Sequence, residues 1–501
     1  MEQNKYSLAE RFLRRCGVLL RENRVPLLTG LAVGLMAHGF AFTNKLLNAD
    51  EIYSLFSKGG GVSFGRWLLD ATRFLFPNAS MPWIYGLLGI FLFSVTACLT
   101  LRLFEIKNPF LQGMLAAVFV SFPSVTGLFC YFFTAVPYAL SLLLAVLSVR
   151  YGRRPGRKAA LAGVLLLTAS TGVYQAYLAV ASTYYLLLMI RELLAGDQPP
   201  KKTLLFGLRA LGMLAAAVAL YYLFDRLALR LTHTVYAEET VSGFSLPYRF
   251  ALAYNALLKT VTSGYFGLVP RHLSRIVHLL GAAALLLYFL RWFFTNRDPG
   301  RGVLMALCLA LLPLSMNCIF LVADVEFIHT LVLHSFVCVY VLAAIAVERL
   351  EGQAGRVGRD AILTGLLLVV IVNVYFANET YLKLYLQYEN AYATYTEMIA
   401  QIKQTEGFDA DCTIAVVGRA ETAFYRPDEI DTGELTGPAP DLVNIYTKEH
   451  LLRYYLGFDV PCADADTAYL LSLDPRVEAM PVYPYYGSVQ RVDDYIVVKL
   501  G

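Results

Sequence analysis

Long apolar segments alternate with short polar ones along the first three quarters of the chain. Between residues 25 and 377, eleven segments are apolar enough, and close enough to ~20 residues, to cross a bilayer as helices. In chain order they cover 25–44, 83–103, 110–128, 134–150, 159–175, 177–194, 204–224, 275–293, 303–322, 330–348 and 361–377. The pattern predicts an all-α polytopic membrane protein, with a multi-spanning domain over 25–378 after a basic N-terminus at 1–24.

The pattern changes after residue 378, where apolar runs become short. "TIAVVG" (413–418) is typical of a buried strand, and "SVQRVDDYIVVKL" (488–500) predicts a hairpin that turns at Asp493-Asp494. "TKEHLLRYYLG" predicts a helix, and a further helix over 380–405 continues the last span. Residues 379–501 are therefore expected to form a small α/β domain.

The basic residues predict the orientation of the spans. Arginines and lysines crowd the N-terminus and every second turn, whereas the turns near 129–134, 175–178 and 324–329 contain none. Because basic loops stay in the cytosol, the N-terminus is expected inside and the C-terminal domain outside. The first span is expected to remain as an uncleaved signal anchor. The long segments 45–82 and 225–274 then face outward with the C-terminal domain.

The composition of the chain argues against some classes of function. The chain is 57% hydrophobic and 16% charged, with a net charge of +15 over residues 1–378 and −11 over 379–501. Basic residues spread over short loops argue against a nucleic-acid-binding protein. There is no GxxxxGK[ST] motif and no cytosolic segment long enough for a nucleotide-binding domain. Cys412 and Cys462 are either a disulfide outside the cytosol or two buried thiols.

The first outer segment carries an acid pair at the expected edge of the membrane. Asn48 and Glu51 have capping-box spacing, which predicts a short helix over 49–58 that ends at three glycines. Helix capping is the structural explanation for Glu51. An ionisable group at this depth costs energy, however, and is a functional candidate. We therefore identify Asp50 and Glu51 as candidate catalytic residues.

A second, interfacial helix is predicted over 63–76, with Arg66, Asp70 and Arg73 on one face. An ion pair between Arg66 and Asp70 is the structural alternative to a binding site for a lipid phosphate. In the segment 225–274, Arg271 is a third candidate for the phosphate, against simple contact with lipid headgroups.

Two outer turns supply candidates for binding sugar or acceptor. Aromatic and amide side chains there could stack on and hydrogen-bond a saccharide, although interfacial aromatic belts have the same composition; they are Tyr131, Tyr138, Tyr174 and Gln175. Asp324 and Glu326, in a third outer turn, are also candidates for binding sugar or acceptor. With His329 they form a rival site for a base or a divalent cation, or a merely solvated turn. No cofactor is predicted, and no metal site is assigned.

Several motifs occur together in a familiar order: "AHGF" (37–40), "NKLLNADE" (44–51), "GRWLLD" (65–70), "FVSFPSVTGLFCYFFTAVPYALSLLLAVLSV" (119–149) and "STGVYQAYLAV" (170–180). In these the chain resembles the Gtr-type glucosyltransferase II family, bacterial membrane enzymes that modify O-antigen and related surface polymers. The resemblance covers most of the first 195 residues. The later spans match only in hydropathy, and the C-terminal domain hardly at all.

The resemblance implies a GT-C class glycosyltransferase of the bacterial plasma membrane. Its donor would be a sugar, with glucose expected, on a polyprenyl phosphate. Its acceptor would be a surface polysaccharide or lipid-linked glycan. An acidic residue of the first outer loop would act as general base, which maps onto Asp50-Glu51, and transfer would invert the anomeric centre. The alternatives are a transporter or flippase of lipid-linked sugars, and a non-catalytic membrane scaffold.

Overall fold

The structure of the chain is a computed structural model. The structure describes residues 7, 10, 17–18 and 20–500, except 45, 47, 57–59, 78, 237–244, 264–270, 322–328, 410, 419–431, 433–434 and 436–447. At 263, 271 and 354 it describes the backbone alone. Asp324 and Glu326 therefore lie outside the described residues, as does the side chain of Arg271.

Helices dominate the part of the chain before the C-terminal domain. They are α1 Arg24–Thr43, α2 Ala49–Ser54, α3 Trp67–Thr72, α4 Pro82–Leu103, α5 Pro109–Ser121, α6 Pro123–Phe129, α7 Phe132–Gly152, α8 Arg157–Val173, α9 Leu178–Ala195, α10 Pro200–Thr232, α11 Leu246–Ser263, α12 Arg271–Thr295, α13 Pro299–Met316, α14 Val337–Glu348 and α15 Gly352–Gln404. Short 3₁₀ helices cover Val62–Phe64, Gln175–Tyr177, Cys318–Leu321 and Thr330–Phe336.

The predicted all-α polytopic class is confirmed. Among the described residues, nine helices are long and apolar enough to cross a membrane, and α5 with α6 makes a tenth candidate. That pair bends by 42° at Phe122, because Pro123 has no N–H with which to continue the ladder. The 17-residue helix α8 is at the lower limit of length for a span. Each of the eleven predicted spans overlaps one of these segments.

Small residues allow the central helices to pack closely. A Cβ on Gly86 of α4 would lie 2.4 Å from the Phe42 ring of α1, and one on Gly30 would lie 2.7 Å from Ser94 Oγ. Around this centre, α5, α7 and α9 share one buried core. By contrast, α10, α12 and α13 leave much of their apolar surface exposed. Such faces suit contact with lipid rather than water.

One helix joins the bundle to the C-terminal domain. At 53 residues, α15 is about 80 Å long, far more than a bilayer core of about 30 Å requires. Its first half packs against the bundle, and its second half contributes Tyr388, Tyr395 and Ile402 to a separate core with the sheet. This is the predicted continuation of the last span.

The C-terminal domain contains a three-stranded sheet of order β1-β3-β2. Parallel β1 Thr413–Val417 and antiparallel β2 Val489–Val492 both pair with β3 Tyr495–Lys499. The predicted strand and hairpin are thus confirmed, with Asp493 at positive φ in the turn. The helix expected over 447–457 is instead, within the described residues 448–457, α16 Lys448–His450 followed by a π-helical turn, Leu451–Tyr455. Short helices α17 Ala465–Ser472 and α18 Pro475–Glu478 follow.

The C-terminal domain packs against part of the segment 45–82. Ile52 of α2 is fully buried in the same core as the sheet. The ring of Phe56 lies 5.3 Å from that of Tyr454, and Tyr53 lies 5.8 Å from His450. Cys412 and Cys462 are not disulfide-bonded in the structure. The acid pair is therefore held between the bundle and the C-terminal domain.

Candidate active site

Helix α2 begins as its sequence predicts, although it ends early. Asn48 Oδ1 accepts the Glu51 backbone N–H at 2.8 Å, and Asn48 Nδ2 donates to the carbonyl of Cys130. The side chain of Asn48 thus fixes the start of α2 against the bundle. The reciprocal half of the predicted capping box is not formed, because neither Glu51 carboxylate oxygen has a hydrogen-bond partner.

The two acids of α2 have opposite environments. Glu51 is 2% exposed, whereas Asp50 is exposed to solvent. Burial raises the pKa of Glu51 well above its usual value, and the nearby Phe132 backbone N–H offsets this only in part. A carboxyl that is removed from water favours its neutral form. Asp50 is therefore the more accessible carboxylate of the pair.

The pH dependence of the protein's stability tests whether Glu51 is buried in its neutral form. Its raised pKa means that the unfolded chain releases a proton which the folded chain retains, so stability falls as pH rises above about 4.5. Glu51→Gln has no proton to lose. We expect its thermal stability in detergent to exceed that of the wild type increasingly between pH 5 and 8, by at most about 1.4 kcal/mol per pH unit. Parallel stability curves would show that Glu51 ionises normally.

Arg66 lies in an aromatic enclosure and interacts electrostatically with Asp50. Its Nη1 donates to the Tyr138 hydroxyl at 2.9 Å, and its guanidinium carbon lies 5.5 Å from the Tyr174 ring centroid. Tyr138 and Tyr174 stack at 3.9 Å. Although burial opposes the charge, these tyrosines and Asp50 favour it, and the pKa of Arg66 rises. Arg66 Nε is buried without a partner, so one donor remains for a ligand.

Arg73 adds a second cation to this enclosure. It pairs with Asp70 at 3.3 Å and lies near enough to Tyr138 for electrostatic interaction. Its Nη1 is buried without a hydrogen-bond partner. Two arginines with unused N–H groups near one tyrosine make a site for an anion, and a guanidinium group matches the geometry of phosphate or carboxylate.

The predicted interfacial helix is interrupted, which changes the partner of Asp70. Gly65 has φ of +70°, so the segment splits into a 3₁₀ turn and α3. Asp70 accepts the N–H groups of Gly61 and Val62, both at 3.2 Å, in addition to its pair with Arg73. The alternative of an Arg66–Asp70 ion pair is therefore wrong: Arg66 is turned to Tyr138 instead.

Gln175 holds the turn at Phe64 and Gly65, so its amide N–H groups are not presented to a sugar. Its Nε2 donates to the Phe64 carbonyl at 2.9 Å and to the Tyr221 hydroxyl at 3.1 Å. Tyr221 in turn donates to the Gly65 carbonyl at 2.9 Å. A Cβ on Gly65 would lie 2.5 Å from this hydroxyl, so the close approach requires glycine. These bonds fix the loop that carries Arg66.

Of the predicted rival site at Asp324, Glu326 and His329, the structure describes His329 alone. Its Nδ1 accepts the Leu331 N–H at 3.1 Å, so the proton of the neutral ring is on Nε2, which has no partner. Burial, and then the charge of Arg66, lower the pKa of His329 to about 4. Its ring lies 6.0 Å from that of Tyr131. Among the described residues, no three His, Cys, Asp or Glu side chains could hold a metal ion together.

Two further buried polar groups lie at this end of the bundle, and neither was a predicted site residue. Asp225 is fully buried on α10, and Tyr236 donates to one of its oxygens. The indole Nε1 of Trp67 is buried without a partner. Asp225 follows the apolar segment 204–224 directly, where a sequence pattern indicates only the end of a span.

Comparison with known proteins adds one finding. A family model described as "Glucosyl transferase GtrII" matches residues 39–347, which include the acid pair, both loop arginines and the tyrosine enclosure. Neither a curated protein nor a solved structure matches the chain.

Proposed function

Because the chain belongs to the glucosyl transferase GtrII family, and is therefore a glycosyltransferase, we propose a specific donor and mechanism for it. The donor is glucose on a polyprenyl phosphate, and the acceptor is a hydroxyl of a surface polysaccharide or lipid-linked glycan. The observation that carries the proposal is an exposed carboxylate, Asp50, that interacts electrostatically with Arg66. Asp50 and Arg73 both interact with Tyr138, and each arginine has an N–H group without a partner.

In the proposed reaction the carboxylate accepts a proton and the arginines stabilise negative charge. An acceptor oxygen attacks the anomeric carbon and its proton passes to Asp50, because a sugar hydroxyl is too weakly acidic to react unaided. The bond between the anomeric carbon and the phosphate oxygen breaks as the new bond forms. Arg66 and Arg73 stabilise the charge that the departing polyprenyl phosphate gains. Such a direct displacement inverts the anomeric centre.

The proposed location is the outer face of the plasma membrane. Several cations at the opposite end of the bundle are paired: Arg102 with Glu22, and Arg153 and Arg191 with Glu105. The positive-inside rule assigns this basic end to the cytosol. The acid pair then faces outward at the level of the lipid headgroups, where a lipid donor and a polar acceptor can meet.

The choice of donor tests this proposal. Purified protein in detergent is given labelled glucose either on polyprenyl phosphate or on UDP, with surface polysaccharide extracted from the source cells as acceptor. We expect label to enter the polysaccharide only from the lipid donor. Efficient transfer from UDP-glucose would contradict the proposed donor. Movement of the intact lipid-linked sugar across vesicles, without transfer, would support a flippase instead.

A further inference from the structure

A second carboxylate lies near the proposed site but takes no part in that mechanism. The side chain of Asp225 is 0% exposed. Tyr236 donates its hydroxyl to Oδ2, whereas Oδ1 has no hydrogen-bond partner. A buried carboxylate oxygen without a donor is costly, so the native complex is expected to supply one.

Helix geometry places Asp225 at the end of the bundle that carries the site. It lies 25 residues beyond the start of α10, or about 38 Å along the helix, which exceeds a bilayer core of about 30 Å. One turn earlier, Tyr221 holds the Gly65 carbonyl. Residues four apart share a helix face, so Asp225 and Tyr221 both face the loop.

The contacts of the loop connect Asp225 to the donor site. Tyr221 interacts electrostatically with both Arg66 and Asp225. The Tyr236 hydroxyl lies 3.3 Å from the position that a Cβ on Gly65 would occupy. Arg66 and Asp225 therefore both lie close to the same tightly held turn at Gly65.

The charges of the arginines and of Asp225 determine which part of a substrate can bind beside each of them. A phosphate is attracted to the arginines and repelled by a carboxylate, whereas sugar hydroxyls donate readily to a carboxylate oxygen. Tyr236, which donates to Asp225, is itself 36% exposed to solvent. We propose that Asp225 and Tyr236 form a subsite for hydroxyl groups of the acceptor saccharide. This inference rests on the proposed function.

The test compares acceptor and donor kinetics in purified protein. Asp225→Asn keeps the size of the side chain but removes the charge, and Tyr236→Phe removes only the hydroxyl. With extracted surface polysaccharide as acceptor, we expect Asp225→Asn to raise the acceptor KM about tenfold to a hundredfold, and Tyr236→Phe less. The donor KM should stay within about twofold of the wild type, because neither residue contacts the phosphate in the proposed arrangement. Exposed Asp197→Asn is the matched control.

Each outcome decides the proposal. An unchanged acceptor KM in both variants, or a donor KM raised as much as the acceptor KM, overturns the subsite. Should Asp225→Asn fail to fold, Tyr236→Phe carries the test, because its ring is retained at a partly exposed position. Failure of the proposed function is distinct: the wild type itself would then not transfer glucose from polyprenyl phosphate.

Discussion

Asp50→Asn is expected to lower the turnover number for glucosyl transfer about 10²- to 10⁴-fold, the usual contribution of a general base. The amide keeps the size and polarity of the side chain but cannot accept the proton of the attacking hydroxyl. Because Asp50 contacts neither the lipid tail nor the phosphate in this account, the donor KM should change little. Initial rates at saturating lipid donor measure the effect.

The neighbouring acid supplies the control. Glu51→Gln alters a buried carboxyl of raised pKa, so it should keep most of the wild-type turnover. Loss of activity in Glu51→Gln, with Asp50→Asn active, would move the base by one residue. Both variants should show the wild-type elution profile in detergent, which separates lost chemistry from lost folding.

Arg66→Gln is expected to reduce kcat/KM for the lipid donor about 10²- to 10³-fold, as removal of a donor to a developing anion does elsewhere. Lysine should restore little of this loss, because it cannot both donate to Tyr138 and lie flat near the Tyr174 ring. Rates measured against lipid-donor concentration give the values. Arg73→Gln should have a smaller effect, because Arg73 already pairs with Asp70.

A matched arginine at the other end of the bundle separates local from general effects. Arg209 donates to the Arg154 carbonyl at 2.7 Å, away from the acid pair. Arg209→Gln should leave kcat/KM for the donor within about twofold of the wild type, since it lies outside the proposed site. Equal losses in Arg66→Gln and Arg209→Gln would mean that Arg66 acts through folding alone.

The spans could be predicted because each depends on local composition. Apolar runs of near-membrane length recur wherever the structure has a spanning helix, and Asn48 caps α2 as its spacing predicts. The interruption at Gly65 was harder to foresee. A glycine at position 65 is compatible with a helix start as well as with a turn. The hydrogen bond that fixes its carbonyl is donated by Tyr221, which lies 156 positions away in the sequence.

The difference between Asp50 and Glu51 depends on tertiary contacts. The two acids are adjacent in a capping motif, and either could be the base by sequence. Phe132 of the bundle and Tyr455 of the C-terminal domain lie close to Glu51, which buries it. Asp225 was missed for a related reason: only its burial and its bond from Tyr236 distinguish it from a charge that ends a span.

The most direct test of the central claim is one transfer assay with three proteins. Wild type, Asp50→Asn and Glu51→Gln receive polyprenyl-phosphate-linked [¹⁴C]glucose and surface polysaccharide, and label in the polysaccharide is counted. We predict transfer by the wild type and Glu51→Gln, and almost none by Asp50→Asn. Equal transfer by the wild type and Asp50→Asn would contradict the assignment of the first-loop carboxylate Asp50 as the base.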